Sequence, residues 1–274
     1  DQFYVEQAFG FNRMTRGMWW MDLLKNTVLS AVLGIPLLYA VLAFMRLFPD
    51  TWWFWAWALF LGFNVLMLWL YPTLIAPLFN QFTPLPDGEL KTRLEALLQR
   101  CGFSSNGMFV MDGSRRSGHG NAYFTGFGRN KRIVFFDTLL AQLTEPQIEA
   151  VLAHELGHFH HKHILKRMAW MPPLSLGGFA LLGFLVNKMW FYAGLGVSDD
   201  FALLDSLAQQ PTHLFAVGLL LFSLVLPVFL FIFTPIFSLQ SRKDEFEADA
   251  FAGKNSNGQD LIDALVAMYH DNAS

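Results

Sequence analysis

The sequence predicts a mainly α, polytopic membrane helical protein with a small cytoplasmic α/β domain between its second and third spans. Three observations predict this. Of 274 residues, 54% are hydrophobic and only 15% charged, with 29 Phe, 9 Trp and a mean hydropathy of +0.35; soluble domains carry about a quarter charged residues. Four stretches are apolar enough to cross a bilayer, which takes about 20 residues in a helix. One polar segment, 80–167, mixes helical and strand periodicities.

The spans are read at Leu23 to Phe48, Trp52 to Phe79, Met168 to Leu195 and Leu214 to Leu239. Pro36, Pro72, Pro172, Pro173, Pro227 and Pro235 are expected to kink or end helices, and the Trp cluster at 52–57 fits an interfacial aromatic belt. The connections fix the orientation. Segment 80–167 carries Lys91, Arg93, Arg100, Arg115, Arg116, Arg129, Lys131, Arg132, Lys162, Lys166 and Arg167, and Arg242, Lys243 and Lys254 follow the last span. The tip at 49–51 has no Lys or Arg, and the tip at 196–212 carries Asp199, Asp200 and Asp205 instead. The positive-inside rule therefore puts both termini and segment 80–167 in the cytoplasm, at a bacterial inner membrane or an endoplasmic reticulum membrane. The expected divisions are an N-terminal segment with two spans (1–79), the cytoplasmic region (80–167), two more spans (168–240) and a closing helix (241–274).

Within the cytoplasmic region, Asp87 to Arg100 reads as an amphipathic helix with Leu90, Leu94, Leu97 and Leu98 on one face. Met108 to Met111, Ala122 to Gly126 and Arg132 to Phe136 read as short strands. They are bounded by turns at Asp112-Gly113, Gly118 to Gly120 and Gly126 to Asn130. Thr144 then opens a helix, with Pro146 in the first turn and Gln147 completing a capping box.

That helix carries His154-Glu-Leu-Gly-His158, an HExxH pattern. Residues four apart share a helical face, so both imidazoles reach one ion, and Glu155 flanks it as a base for zinc-activated water. The apolar run Ile148, Val151, Leu152 and Ala153 buries the helix, where an unliganded His pair is costly. A catalytic zinc takes three protein ligands. The third is sought in Ser241 to Ala250, where Glu245 and Asp249 share a face and Glu247 points elsewhere. One carboxylate can bind the ion while its neighbour orients a ligating His. Taken alone, three acids in five residues are more often a solvated face.

VLAHELGHFHHKH together with SRKDEFEADAFA resembles the integral-membrane gluzincin peptidases. VEQAFGFNRMT (5–15), APLFNQFTPLPDGEL (76–90) and GSRRSGHGNAYFTGFGRNKRIVFFDTLL (113–140) narrow the resemblance to the zinc CAAX prenyl proteases. HtpX-type membrane proteases share the HExxH and ExxxD parts without the FTPLP segment. The matching stretches run from about residue 5 to residue 270. The resemblance implies one zinc ion per chain on His154, His158 and Glu245. It implies Glu155 as general base and acid, and Asp249 as the partner of a ligand His. It further implies a peptide-positioning segment of His119, Asn121, Ala122 and Tyr123. Such an edge strand would take an extended peptide by strand addition. His163 and Arg242 are near-site candidates, Arg242 as a brace for the Glu245 helix or the transition-state oxygen. His160 and His161 are expected at solvated or interfacial positions, and His213 at the far membrane face. The implied substrates are peptides or proteins ending in a prenylated CAAX box, cut near the modified cysteine, with the lipid bilayer as the other partner.

The family also has spans ahead of the FGFN segment and a His-Pro segment beyond the ExxxD helix. Asp1 is not an initiator methionine and Ser274 follows an unclosed helical pattern, so natural residues are expected beyond one or both ends. A net charge of −3 with a pI near 6.2 gives no sign of a nucleic-acid partner. The single Cys101 excludes an intrachain disulfide and a Cys-rich zinc cluster. Two rival readings remain, a quality-control protease of the HtpX type and a zinc-stabilised membrane scaffold without hydrolysis. Glu155 argues against the scaffold, since a structural zinc site closes with a fourth ligand and needs no acid there.

Overall fold

The computed structural model describes residues 2–125, 132–197 and 211–272. The turn read at Gly126 to Asn130, with Arg129 and Lys131, lies outside these, as do Asp199, Asp200 and Asp205. The chain divides into two compact units, Asp1–Leu23 with Leu66–Ile164 and Ser241–Ser274, and Leu24–Val65 with Leu165–Gln240.

The second unit is built from long apolar helices. Most of helix α1 (Arg16–Leu47) and of α2 (Trp52–Leu70) lies in it, and the π-helical turn (Tyr71–Ile75) and α3 (Ala76–Phe79) that follow α2 belong to the first unit. Later come α7 (His163–Leu185), α8 (Met189–Gly194) and α9 (Pro211–Phe231). Among the described residues, four stretches of 32, 28, 23 and 19 residues are long and apolar enough to cross a membrane. Their outward faces stay apolar, as at Val28, Ile35, Leu220 and Val228, which is the surface lipid solvates. Inside the unit, Met45, Trp52, Ala56, Leu182, Val186 and Phe215 form one buried cluster. Trp57 Nε1 donates to the Pro172 carbonyl at 3.2 Å and to Ser175 Oγ at 3.1 Å, while the buried Trp52 Nε1 has no hydrogen-bond partner among the described residues.

Two expectations change here. The third span begins earlier, at His163, and ends at Leu185, with Met189–Gly194 a separate short helix. The fourth ends at Phe231, so Leu239 belongs to the next helix, α10 (Thr234–Asn255). Hydropathy alone could not see the second break, because Ile232 and Phe233 are as apolar as the span before them, while the first falls at Asn187-Lys188. Of the prolines expected to kink or end helices, four end none. Pro36, Pro172, Pro173 and Pro227 lie inside continuous helices. Only Pro72 coincides with a change of winding, in the π turn, and Pro235 sits in a first turn, where its missing N–H costs nothing.

The first unit holds a four-stranded sheet of β1 (Phe82–Pro84), β2 (Met108–Met111), β3 (Ala122–Thr125) and β4 (Arg132–Phe136), in the order β1-β2-β4-β3. The β2–β4 pair is parallel and both outer pairs are antiparallel. Ile133, Val134 and Phe135 are all buried, as a central strand covered on both faces requires. Strand β1, absent from the sequence reading, is three half-exposed residues ending in proline, a composition tolerated only at an edge. Against the sheet pack α5 (Asp137–Gln142) and α6 (Glu145–His160), and on α6 pack α4 (Glu89–Arg100) and α11 (Gly258–Asn272). Leu94, Leu97 and Leu98 of α4 meet Ile148, Leu152 and Leu156 of α6 in one core. Helix α6 begins as the sequence suggests, Gln147 Oε1 accepting from the Thr144 N–H at 2.9 Å.

Candidate active site

Helix α6 places His154 and His158 one turn apart, and α10 brings Glu245 to them. His154 Nε2 stands 3.3 Å from His158 Nε2 and 3.3 Å from Glu245 Oε2, and His158 Nε2 lies 3.5 Å from that oxygen. A tetrahedral zinc with ligands at about 2.0–2.1 Å has edges of about 3.3–3.4 Å, so this donor triangle fits one face of such a site. The two imidazoles are mostly covered while the Glu245 side chain is half exposed, which leaves one side of the triangle open. Behind it, Asp249 Oδ1 lies 2.8 Å from His154 Nδ1. A carboxylate there holds the ring with its other nitrogen turned to the triangle.

The approach of α10 to α6 depends on Gly157. A Cβ at that position would stand 2.7 Å from Ala248 Cα, 3.0 Å from its carbonyl oxygen and 3.1 Å from Phe251 Cβ. Glycine inside a helix is disfavoured by about 1 kcal/mol relative to alanine, and here it removes the atom that would push the two helices apart.

Glu155 follows the first imidazole and makes no hydrogen bond among the described residues. Burial pushes its carboxyl above the usual range, the neighbouring Glu245 pushes the same way, and His154 opposes both. Perturbation of this kind, by burial beside a charged partner, clusters at functional sites.

Beyond the triangle, His163 is 1% exposed, with Nδ1 2.9 Å from His158 Nδ1 and Nε2 3.0 Å from Glu247 Oε2. Glu247 thus points away from Glu245, as its position on the helix implies, but it is not idle. His161 is 35% exposed. It stacks on His163 and stands 3.7 Å from Glu247, while His160 lies against Phe251. Their shared region of sequence, HFHHKH, signalled histidines without showing which way a turn would face them. Arg242 is exposed and makes no hydrogen bond or ion pair among the described residues. His213 is exposed near the start of α9.

The segment 119–123 leads into β3, which packs against α6. Strand β3 is an edge of the sheet among the described residues, and Phe124 packs on Phe159 of α6 with centroids 4.8 Å apart. Asn121 accepts from the Phe136 N–H at 2.9 Å, so antiparallel alternation turns the backbone groups of Ala122 and Phe124 toward the open edge. Asn121 Oδ1 already takes the Ala122 N–H at 2.8 Å. Tyr123 faces the opposite side of the sheet from Ala122, into a cleft of about 420 Å³ shared with Tyr71, Phe82, Phe109 and Arg132. Burial pushes its hydroxyl up to about 12. The His119 ring is engaged by the N-terminal segment, stacked on Phe11 and 3.4 Å from Glu6 Oε2. Asn12 bridges to Ser117, and Arg116 pairs with Asp22 and Asn80. Residues from the 5–15, 76–90 and 113–140 stretches therefore meet in one place.

Known proteins resemble this chain along nearly its whole length. Residues 84–270 match the model of peptidase family M48, and residues 1–81 match that of the CAAX prenyl protease N-terminal region with five membrane helices. The chain is 37% identical over 281 residues to the CAAX prenyl protease 1 homolog of Arabidopsis thaliana, covering 99% of this chain and 61% of that protein. It is 35% identical over 278 residues to CAAX prenyl protease 1 of Saccharomyces cerevisiae, covering 100% and 61%. The crystal structure of S. mikatae Ste24p superposes with a TM-score of 0.86 at 35% identity, covering 99% of this chain and 64% of that one. The chain thus spans about three fifths of the length of these relatives. With its membrane-length helices and these relatives, it is a multi-pass integral membrane protein. The family match covers most of the segment between the second and third spans, both helices of the donor triangle and the spans between them, and the chain belongs to peptidase family M48.

Proposed function

We propose that this chain is an integral-membrane zinc metalloendopeptidase acting on prenylated, CAAX-type C-terminal peptides. One observation carries the reading: two imidazole nitrogens and one carboxylate oxygen converge at 3.3–3.5 Å with Glu155 beside them. Family membership implies a metal cofactor. The His₂Glu donor set suits zinc, with His154, His158 and Glu245 holding one ion per chain. Bound there, zinc supplies Lewis-acid polarisation of the scissile carbonyl and activation of water.

The chain's own residues supply the rest. Asp249 fixes the His154 ring. Glu155, half-buried and without a competing hydrogen bond among the described residues, takes the proton from the attacking water and delivers it to the departing amine. The open edge of β3 offers the backbone groups of Ala122 and Phe124 to an extended peptide, ordering it before attack. The prenyl requirement rests on the names of the relatives, CAAX prenyl protease 1 and its homologs. The excess of Lys and Arg in 80–167 and after the last span supports a cytoplasmic zinc region.

The test uses the full chain in detergent: zinc per chain, and cleavage of a farnesylated CAAX peptide by wild type and Glu155→Gln. The expected result is one zinc in both proteins and cleavage only by wild type. A folded wild type without zinc overturns the reading. Zinc binding with cleavage of unprenylated peptides alone overturns the substrate.

A further inference from the structure

His163 is nearly inaccessible, yet both of its ring nitrogens face a polar partner, and the proposed chemistry does not use it. Two imidazole nitrogens 2.9 Å apart, His158 Nδ1 and His163 Nδ1, share one proton. Which ring owns it follows from the other side of His158. Its Nε2 faces His154 Nε2 and Glu245 Oε2. A ligand atom there needs its lone pair, so neutral His158 carries its proton on Nδ1 and donates it to His163. His163 must then accept at Nδ1 and carry its own proton on Nε2, which lies 3.0 Å from Glu247 Oε2, with Asp244 Oδ1 at 3.8 Å. The direction of every hydrogen bond in the row is thereby fixed.

We propose that His163 is a positioning residue for His158, closed off by Glu247, so that both imidazole ligands are oriented from behind: His154 directly by a carboxylate, His158 through a second imidazole. The proposal rests on the metal reading above. The backbone is built for it. Helix α6 ends with the His161 N–H on the Gly157 carbonyl, and Lys162 then adopts φ +56°, the one positive φ outside glycine among the described residues. That left-handed residue, disfavoured for lysine, turns the chain so that the first residue of α7 comes back against His158.

The same argument rejects another reading of this cluster. Ligand atoms of His161, His163 and Glu247 lie within 4.8 Å of one another, a spacing that can hold a second cation. With His158 holding an ion through Nε2, the proton on His163 Nε2 removes the lone pair such a cation needs.

The experiment measures metal stoichiometry and affinity of the detergent-solubilised full chain by competition with a chelator, and the visible spectrum of the cobalt(II)-loaded protein. It compares wild type, His163→Leu, His163→Asn and Glu247→Ala. We expect one metal per wild-type chain and a loss of roughly 10–100-fold in affinity with a changed cobalt spectrum in His163→Leu. His163→Asn, whose side-chain carbonyl can accept near the place of Nδ1, recovers most of that affinity, and Glu247→Ala loses several-fold. Were His163 merely packing, apolar leucine would bind metal as well as wild type and better than asparagine, which overturns the proposal. Two metals per wild-type chain overturn it too. If His163→Leu does not fold, Glu247→Ala, altered at a partly exposed carboxylate, decides alone: unchanged affinity there refutes the relay. A wild type that binds no metal refutes the proposed function instead, so the two failures are distinct.

Discussion

Substitution Gly157→Ala tests whether the closeness of α6 and α10 makes the donor triangle. The new Cβ would stand 2.7 Å from Ala248 Cα and 3.0 Å from the Ala248 carbonyl oxygen, where optimal carbon contacts lie at about 3.5–4.0 Å. Both obstacles are backbone, so no side chain can swing aside and the helices must separate by on the order of 1 Å. Overpacking of this kind costs about 1–3 kcal/mol, against a gain of about 1 kcal/mol from replacing a helical glycine. Net stability should fall by up to about 2 kcal/mol. The larger effect falls on the metal, because Glu245 rides on the displaced helix while His154 and His158 do not. A ligand set loosened by about 1 Å loses its geometry, and we expect metal affinity to drop at least tenfold in chelator competition. Gly253→Ala is the control: it lies on the same helix with nothing within 4 Å of the added Cβ, and should leave affinity unchanged while stability holds or rises. A Gly157→Ala protein with wild-type affinity and unchanged or higher thermal stability would refute the close-contact reasoning.

Other expectations concern individual side chains. Asp249→Ala frees the His154 ring, and metal affinity should fall about 10–100-fold by competition titration, with the metal-saturated protein still cleaving. Glu155→Gln should lose at least about 100-fold in turnover with metal content intact, the scale for a general base. In the metal-free protein the same variant reports on burial. The folded carboxyl titrates above its unfolded value of 4.5, so the folded state binds the extra proton between those two values and wild-type stability falls as pH rises through that window. Glu155→Gln should therefore raise the melting temperature at neutral pH and not below the ordinary carboxylate range; equal shifts at both would contradict the assignment. Asn121→Ala, which releases the Ala122 N–H, should change KM for peptide while leaving metal affinity alone; a loss of metal would tie the residue to the ion instead.

Much of the molecule follows from local rules. Spans of 19 to 32 residues announce themselves because lipid demands a long apolar surface wherever it is the solvent. The α4 helix shows in its leucine spacing and α6 in its capping residues, since both patterns act within a few residues. His154, Glu155 and His158 lie within one helical turn and a half, so the sequence alone decides that they share a face. The break after Phe231 was hidden, because Ile232 and Phe233 are as apolar as the span before them, whereas the one after Leu185 falls at the polar pair Asn187-Lys188 inside an otherwise apolar run. Strand β1 was hidden too, since three residues with a proline become a strand only when β2 is there to pair with.

For the site, then, the sequence by itself determined the donor types, the helix that carries two of them and the base between. The tertiary structure decided what depends on long-range approach. Gly157 became a contact with Ala248, residues 91 positions away in the chain. Glu245 took the third corner and Asp249 the back of His154. A left-handed Lys162 turned His163 onto His158, and Glu247 onto His163. Local periodicity fixes which face a side chain occupies, but not what stands opposite it. That is set by helices packing until their backbones touch, and here they touch where a glycine lets them.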